Sequence, residues 1–445
     1  MNRKVLIWMQ TVAALGAATV ASAQQPFDLD GSFRTNIQSQ QSPANVGSVL
    51  LLPDGNMYIS GTFRFPGDIN DRYFGRLHAD GSRDLSYPEG YPYGYGGGRI
   101  TPWQDRYYVS TGEIRRCTMD GALDETFNME NVPYYSPLQD GDYYVYPDGR
   151  VLVSGYNFLE DSLLGYSGLY GLIWFTNEGQ VDTTKSHRHS DGPIYYLSLQ
   201  PDGKFLCSGY VSNFEGTAIP GPLFRVEADG ALDSSFLQTP QGLGVCFTFQ
   251  TLTDGKVLAG GQFSLDGVGD TLSLVRLLPD GAVDPSFHIP HFESYDSLGM
   301  HLRRPAVTDI LPLDNDRYVI TGGFDRIDGQ PRGCIAVIDT AGNLIDEYFT
   351  GDGCGGYFEQ PSSFPTPTYY HRSLTGMQAA PDGSYYIYGA YKGYDDGTTN
   401  DTQQRMVSHL YGLNVGIHEQ ATDQLAPLQI APNPSARETR FSLPA

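Results

Sequence analysis

The segment His187-Arg188-His189-Ser190-Asp191 sets imidazoles and a carboxylate at alternate positions, the side chains that hold zinc. No second His-rich segment of matching spacing accompanies it. The expectation is therefore no metal centre, with His187, His189 and Asp191 the only residues that one could draw on. Asp28-Leu29-Asp30-Gly31 and many other Asp-Gly pairs supply carboxylate oxygens of the kind calcium takes. The rest of a calcium loop is missing, and Asp-Gly is ordinary turn chemistry, so calcium is the one cofactor left open. Scattered Asp and Glu could form a glycosidase pair, with His187 or His189 beside it. No G-x-S-x-G nucleophile elbow occurs.

Tyrosine is the other chemical resource, with 31 copies. It concentrates in Tyr87–Tyr95, where Tyr91, Tyr93 and Tyr95 alternate with Pro and Gly, in Tyr134-Tyr135, and in Tyr369-Tyr370-His371-Arg372. His288, His291 and Phe292, and His301 with Arg303 and Arg304, sit in comparable segments. A phenol ring offers a flat apolar face and a polar tip at low entropy cost, which suits sugar rings and protein surfaces. Packing of long loops onto a scaffold is the competing use of the same rings.

These residues are positioned by a repeat. One phrase, a turn followed by a short β-rich run and a glycine, recurs as PDGNMYISG (Pro53–Gly61), QDRYYVSTG (Gln104–Gly112) and PDGRVLVSG (Pro147–Gly155). It returns as PDGKFLCSG (Pro201–Gly209), TDGKVLAGG (Thr253–Gly261), DNDRYVITG (Asp314–Gly322) and PDGSYYIYG (Pro381–Gly389). The closing glycines are 51, 43, 54, 52, 61 and 67 residues apart, the length of a four-stranded propeller blade with its loops. Between the copies runs a second phrase ending in Asp-x-x-Phe, clear in FRVEADGALDSSF (Phe224–Phe236) and LVRLLPDGAVDPSF (Leu274–Phe287). It is looser in FGRLHADGSRDLSY, RRCTMDGALDETF and VIDTAGNLIDEYF, and weakest in LIWFTNEGQVDTT (Leu172–Thr184).

Each unit reads as strands A to D, with Asp-Gly hairpins at the A–B and C–D turns. The seventh copy has strands A to C, the last at Met406–Leu413, but no Asp-x-x-Phe strand after it. That phrase stands at the mature N-terminus as Leu29–Phe33. The expected fold is all-β: a seven-bladed β-propeller of four-stranded blades, its ring closed by the N-terminal strand. The A–B and C–D turns then lie on one face. The B–C and D–A connections, variable in length and carrying the tyrosines, lie on the other, where binding is expected.

Compartment and composition agree. Arg3 and Lys4, an apolar stretch from Val5 to Val20 and Ala21-Ser22-Ala23 form the three parts of a cleaved secretory signal over residues 1–23. Removing them takes the net charge from −23 to −25, which repels phosphate backbones and argues against nucleic acid. No later stretch could span a membrane. The five cysteines Cys117, Cys207, Cys246, Cys334 and Cys354 contain no CxxC pair. Cys334 with Cys354 is the best candidate bridge, and Cys117 and Cys207 suit buried thiols in strands.

The combined unit PDGK-x-L-x-G-G-x-F and R-L-x-x-DG-x-x-D-x-S-F resembles the delta-60 repeat, a propeller-like repeat of secreted bacterial proteins. The resemblance spans roughly 27 to 414, is sharpest in the fifth copy, and implies the fold without implying catalytic residues. After the propeller at 24–416 comes a polar linker, 417–427. Residues 428–445, with Pro432-Asn433-Pro434 at their core, resemble the start of a type A sorting domain of the type IX secretion system and stop where its second strand would begin. The resemblance implies export by that machinery to the outside or outer surface of a Bacteroidetes-type cell. The function expected is non-catalytic recognition of a polysaccharide or protein through Tyr91, Tyr93, Tyr95, Tyr134, Tyr135, Tyr369, Tyr370, His371 and Arg372. A secreted polysaccharide-active hydrolase or lyase, and a structural envelope module, are the alternatives.

Overall fold

The computed structural model describes residues 24–38, 44–87, 98–110, 113–129, 132–295, 304–314, 316–359 and 369–414. The expected leader, the sorting segment and Tyr91, Tyr93 and Tyr95 lie outside them. The described chain is all-β, with one 3₁₀ turn at Ser234–Phe236.

Seven main antiparallel sheets follow one another along the chain, each built on a three-stranded ladder, to which Arg188–His189 adds an edge strand in the third and Gly353–Cys354 one in the seventh. Their first strands are Asn45–Leu51, Ile100–Trp103, Tyr135–Val145, Ile194–Leu199, Gly242–Thr251, Ala306–Pro312 and Ser373–Ala379. Their middle strands carry six of the glycine-closed runs, for example Phe205–Gly209 and Arg317–Gly323; in the second, the strand Arg106–Ser110 is described and Gly112 lies outside the described residues. The hairpin between first and middle strand is built by the aspartate itself. The Asp202 carboxylate accepts the Lys204 N–H at 3.1 Å, and Gly203 takes φ +87, a conformation open to glycine without a Cβ penalty. Asp54, Asp148, Asp254 and Asp382 do the same for Asn56, Arg150, Lys256 and Ser384. These oxygens are spent on turns.

The closing glycine has a different reason. In six of the sheets the first strand carries a β-bulge opposite it, as between Ile194 and Tyr196 facing Gly209 and between Val307 and Asp309 facing Gly322. A bulge presses the bulged strand's backbone against its partner. A Cβ on Gly209 or Gly322 would drive into the carbonyl oxygen of Pro193 or Ala306.

The fourth strand is reduced. After the second Asp-Gly turn the chain makes one bridge to the third strand (Leu77↔Arg83, Cys117↔Leu123, Phe175↔Val181, Val226↔Leu232, Leu277↔Val283, Ile338↔Leu344) and peels away. The aspartate that follows turns the chain. Asp233 accepts the Ser235 N–H at 2.9 Å and its hydroxyl at 2.6 Å, and Asp284 does so with Ser286. The same aspartate takes the buried arginine of the third strand: Arg225 Nε to Asp233 at 2.7 Å, Arg276 Nε to Asp284 at 2.9 Å and Arg116 Nε to Asp124 at 2.8 Å. The guanidinium then lies over the closing aromatic, 4.6 Å from the Phe236 centroid. Lys204 and Lys256 of the PDGK turns reach the same carboxylates. The two sequence phrases are thus two halves of one clasp.

Four repeats depart from it: in the first, Arg76 Nε lies 3.6 Å from Asp84, and in the third, Trp174 stands in the arginine's place, its carbonyl taking the Asp182 N–H. In the sixth, the backbone bond that joins Asp233 N to Arg225 O is made instead by Ile345 N to Val337 O. The apolar pair Val337 and Ile345 replaces arginine and aspartate, and Tyr348, under Arg317, stands where the Asp-x-x-Phe reading put Phe349. In the seventh, the partner comes from the other end of the chain. Asp30 N donates to His409 O at 2.9 Å, Leu29 bridges Leu410, and the His409 ring meets the Asp30 carboxylate at 2.9 Å.

The core lies between sheets. Seven clusters of buried apolar side chains each join two neighbours. One runs between the seventh sheet and the first, through Tyr386, Met406 and Val407 against Val46, Met57 and Ile59. Another carries Phe27 and Leu29 into the contact of sixth and seventh.

Candidate functional site

A cavity of about 940 Å³ opens between the sixth and seventh sheets. Its walls come from four stretches: Glu293 and Tyr295; the hairpin of Arg326–Ile327 and Gln330–Pro331 continuing to Gly333; Asp352–Gly356 with Tyr370 and Arg372; and Lys392–Asp395 with Thr402. The first three belong to connections leading into a first strand or from a middle to a third strand, and the fourth to the ends of the seventh sheet's own middle and third strands, Tyr385–Asp395 and Asn400–Leu410. The Asp-Gly turns between first and middle strands and after third strands are absent from its lining.

Arg372 is the keystone. Its Nη1 meets Asp325 Oδ1 at 2.5 Å, Nε donates to Cys354 O at 2.6 Å and Nη2 to Asp352 O at 2.7 Å. Burial opposes its charge, but the neighbouring Cys334 and Asp325 outweigh that and raise its pKa. Asp325 also accepts the Tyr295 N–H, and the Tyr295 hydroxyl donates to Glu293, which raises the phenol's pKa. Arg332, 6% exposed, donates to Pro331 O and to the exposed Asp346. Its Nε has no hydrogen-bond partner, and burial pulls its pKa down. The Tyr370 ring lies 5.1 Å from Phe358, which is 50% exposed. Gly356 is small because a Cβ there would strike the Tyr370 ring. The site therefore joins an aromatic pair to a charged wall, the polar-and-flat combination that sugar hydroxyls and rings require.

Of the residues singled out by sequence, Tyr370 and Arg372 reach this cleft, and Tyr369 lies in the same strand, Tyr369–His371. His371 packs 5.3 Å from the Tyr357 ring. Tyr134 and Tyr135 belong to the third sheet. Tyr134 stacks near Tyr166, while the Tyr135 hydroxyl bonds Asn157 and burial raises its pKa. His187 is buried against Trp174 and Tyr166, its Nδ1 accepts the Trp174 N–H at 3.3 Å, and burial lowers its pKa to about 4. His189 stacks on Tyr170 with Nδ1 on Leu169 O, and Asp191 accepts the Ser212 and Asn213 N–H groups. The three do not converge, and no group of three or more His, Cys, Asp or Glu side chains poised for a metal occurs among the described residues. His288 and His291 tie their connection to Asp328. Glu293, Tyr295, Arg326, Arg332, Phe358 and Lys392 were missed by sequence reasoning. The Asp328-Gly329 turn inside a middle-to-third connection was the available signal that an extra hairpin stands there.

A second cavity, about 490 Å³, is lined by the bulges of the first strands, among them Ser48, Gly141, Tyr196, Thr248, Asp309 and Thr375, with Arg99. Asp142 faces Arg99 at 3.2 Å. Asp309 is met only by the backbone N–H groups of Ile310 and Met377, and burial raises its pKa to about 6.

A family model described as a domain of unknown function (DUF5122) β-propeller matches residues 52–87 and 252–287. Each match runs from the first turn of a sheet to its closing aromatic, in the first and fifth repeats. No curated protein matches the chain. Among solved structures, the extracellular domain of a putative hybrid two-component system from B. thetaiotaomicron is 11% identical, covering 90% of this chain and 45% of that one, with a TM-score of 0.42. The chain spans less than half the length of that neighbour. Virginiamycin B lyase from Staphylococcus aureus is 9% identical over 84% of this chain and 98% of that one, with a TM-score of 0.40. Among the described residues no helix is long and apolar enough to cross a membrane. The chain contains an all-β, propeller-type domain similar to the DUF5122 β-propeller family.

Proposed function

We propose that this protein is a non-catalytic recognition module that binds a polysaccharide in the cleft between the sixth and seventh sheets. In this reading the seven sheets are blades of a closed ring and the N-terminal strand completes the last blade. The chain is exported by its leader and by type IX secretion, and its repeats are of the delta-60 kind. The Asp30–His409 pairing and the apolar contact of seventh and first sheets support the closure. The observation that carries the function is that the walls of this cleft come from long connections and from the extended strand ends of the seventh sheet, and that these bring Tyr295 and Tyr370, with Phe358 against Tyr370, together with Arg326, Arg332 and Lys392. Aromatic faces supply stacking, and the charged groups supply hydrogen bonds to hydroxyls.

The test is a glycan binding screen on the full chain, wild type beside Phe358→Ala and Lys392→Gln, with reducing ends assayed in the same wells. The expected result is saturable binding to one glycan class, weakened about tenfold by loss of a stacking ring, with no new reducing ends. Release of reducing ends would replace this reading with a hydrolase, and binding insensitive to both substitutions would remove the cleft from it.

A further inference from the structure

Cys334 and Cys354 are 20 positions apart in sequence but neighbours in space, and they belong to different sheets. Cys334 immediately precedes the third strand of the sixth sheet, Ile335–Asp339, while Gly353–Cys354 pairs with Asp395 and Tyr394 of the seventh. The backbones touch, with Cys354 N donating to Gly333 O at 3.1 Å. Both side chains are buried, at 0% and 1% exposure, in one apolar cluster, and the two thiols are hydrogen-bonded to each other. Cys334 holds φ +73, a left-handed backbone costly for any residue with a Cβ. All five cysteines are free thiols in this structure, and Cys117, Cys207 and Cys246 are buried in three other sheets.

We propose that Cys334 and Cys354 form a disulfide that staples the sixth sheet to the seventh along one wall of the cleft. Cys354 lines that cleft, and Arg372 grips its carbonyl, so the bond would hold the wall that carries Arg372, whatever ligand binds. The chemistry needs an oxidant of the disulfide class, such as a low-molecular-weight disulfide. One cysteine thiolate attacks its sulfur and expels one thiolate. The second cysteine then attacks the mixed disulfide and expels the other. Two S–H bonds break and one S–S bond forms, and the two electrons and two protons leave as two reduced thiols.

The test counts thiols in the full chain, purified reduced and then incubated with oxidised glutathione in mild denaturant before return to native buffer. After unfolding and alkylation, intact mass is expected to show three modified cysteines, rising to five after reduction, and peptide mapping to join Cys334 to Cys354. The thermal midpoint is expected to rise on oxidation in wild type and to stay unchanged in Cys354→Ala. Five modified cysteines in the oxidised sample, a different linked pair, or the same rise in Cys354→Ala would overturn the proposal. The ligand screen above is unaffected by any of these results, so the two readings fail separately.

Discussion

Asp233 accepts four hydrogen bonds within its clasp, and replacing it with alanine tests the clasp directly. Its oxygens take Arg225 Nε and Lys204 Nζ at 2.7 Å each, and the Ser235 N–H and hydroxyl at 2.9 and 2.6 Å. The Arg225 and Asp233 side chains are 9% and 4% exposed. Removing one partner of such a pair leaves the other charge buried, which costs about 3–5 kcal/mol. Lys204 is 23% exposed and can rehydrate, so the lower half of that range, about 3–4 kcal/mol, is expected. With an unfolding entropy of about 2.1 cal/mol/K per residue over the described domain, the melting temperature should fall by about 4–5 °C at pH 7. Burial raises the Asp233 pKa, but the bonds from Lys204, Ser235 and Arg225 outweigh it and hold the value below the usual carboxylate range. A depressed folded pKa contributes stability above the unfolded value near 3.8 that is lost as pH falls through the folded one. The gap between wild type and Asp233→Ala should therefore be full at pH 7 and 5 and shrink at pH 3 and below. Calorimetric melts at the three pH values measure it. A shift under about 1 °C at pH 7, or a gap that does not narrow in acid, would refute the reasoning.

Two further outcomes follow from the same geometry. Gly322→Ala is expected to destabilise by at least about 2 kcal/mol, because its Cβ meets the Ala306 carbonyl with no room to yield. Gly267→Ala, at φ +75 but with open space around it, should cost only about 1 kcal/mol; denaturant melts of the two variants decide whether contact or torsion makes the closing glycines necessary. Asp309 should titrate near pH 6 by carboxyl carbon NMR. Its folded pKa lies above the unfolded one, so its contribution is full below about pH 4 and is lost as pH rises through about 6, the reverse of Asp233.

The repeat was legible because turn chemistry is local. An Asp-Gly pair shapes its own hairpin, and the glycine eight residues after Pro201 faces a bulge in the strand just before it. The Leu29–Phe33 phrase was legible for the same reason, since it carries the same aspartate and serine as the fourth and fifth repeats, here paired to His409. The sixth repeat misled by one residue. Asp346 offered the expected letter, while the position itself is filled by Ile345, whose match to Val337 is apolar and leaves no charge signature. His187 misled in another way. Alternation suggested ligands, but the strand's neighbours Trp174 and Tyr166 enclose the ring. Of the cleft, sequence supplied Tyr370 and Arg372, which stand in a conspicuous aromatic run. Glu293, Tyr295, Arg332 and Lys392 carry no such mark, since their meeting depends on how connections nearly 100 residues apart fold over two adjacent sheets.

The position of the cleft has a physical logic. In the second, fourth and fifth repeats, a third-strand arginine is committed to the outer edge by its aspartate. The sixth closes that edge with Val337 and Ile345, and the seventh closes it with His409 and a carboxylate from the N-terminal segment. The two longest repeat spacings, 61 and 67 residues, end at Gly322 and Gly389, so the extra chain lies in the connections around these two sheets. The arginines there, Arg332 and Arg372, are held by carbonyls and by Asp346 and Asp325 of the connections themselves. Their charge is thereby placed at the variable face, where burial leaves the Arg332 Nε without a partner. Two neighbouring sheets whose edges are satisfied by apolar and N-terminal groups can afford cations in the connections beside them, and that is where a ligand rich in oxygen acceptors would find unspent donors.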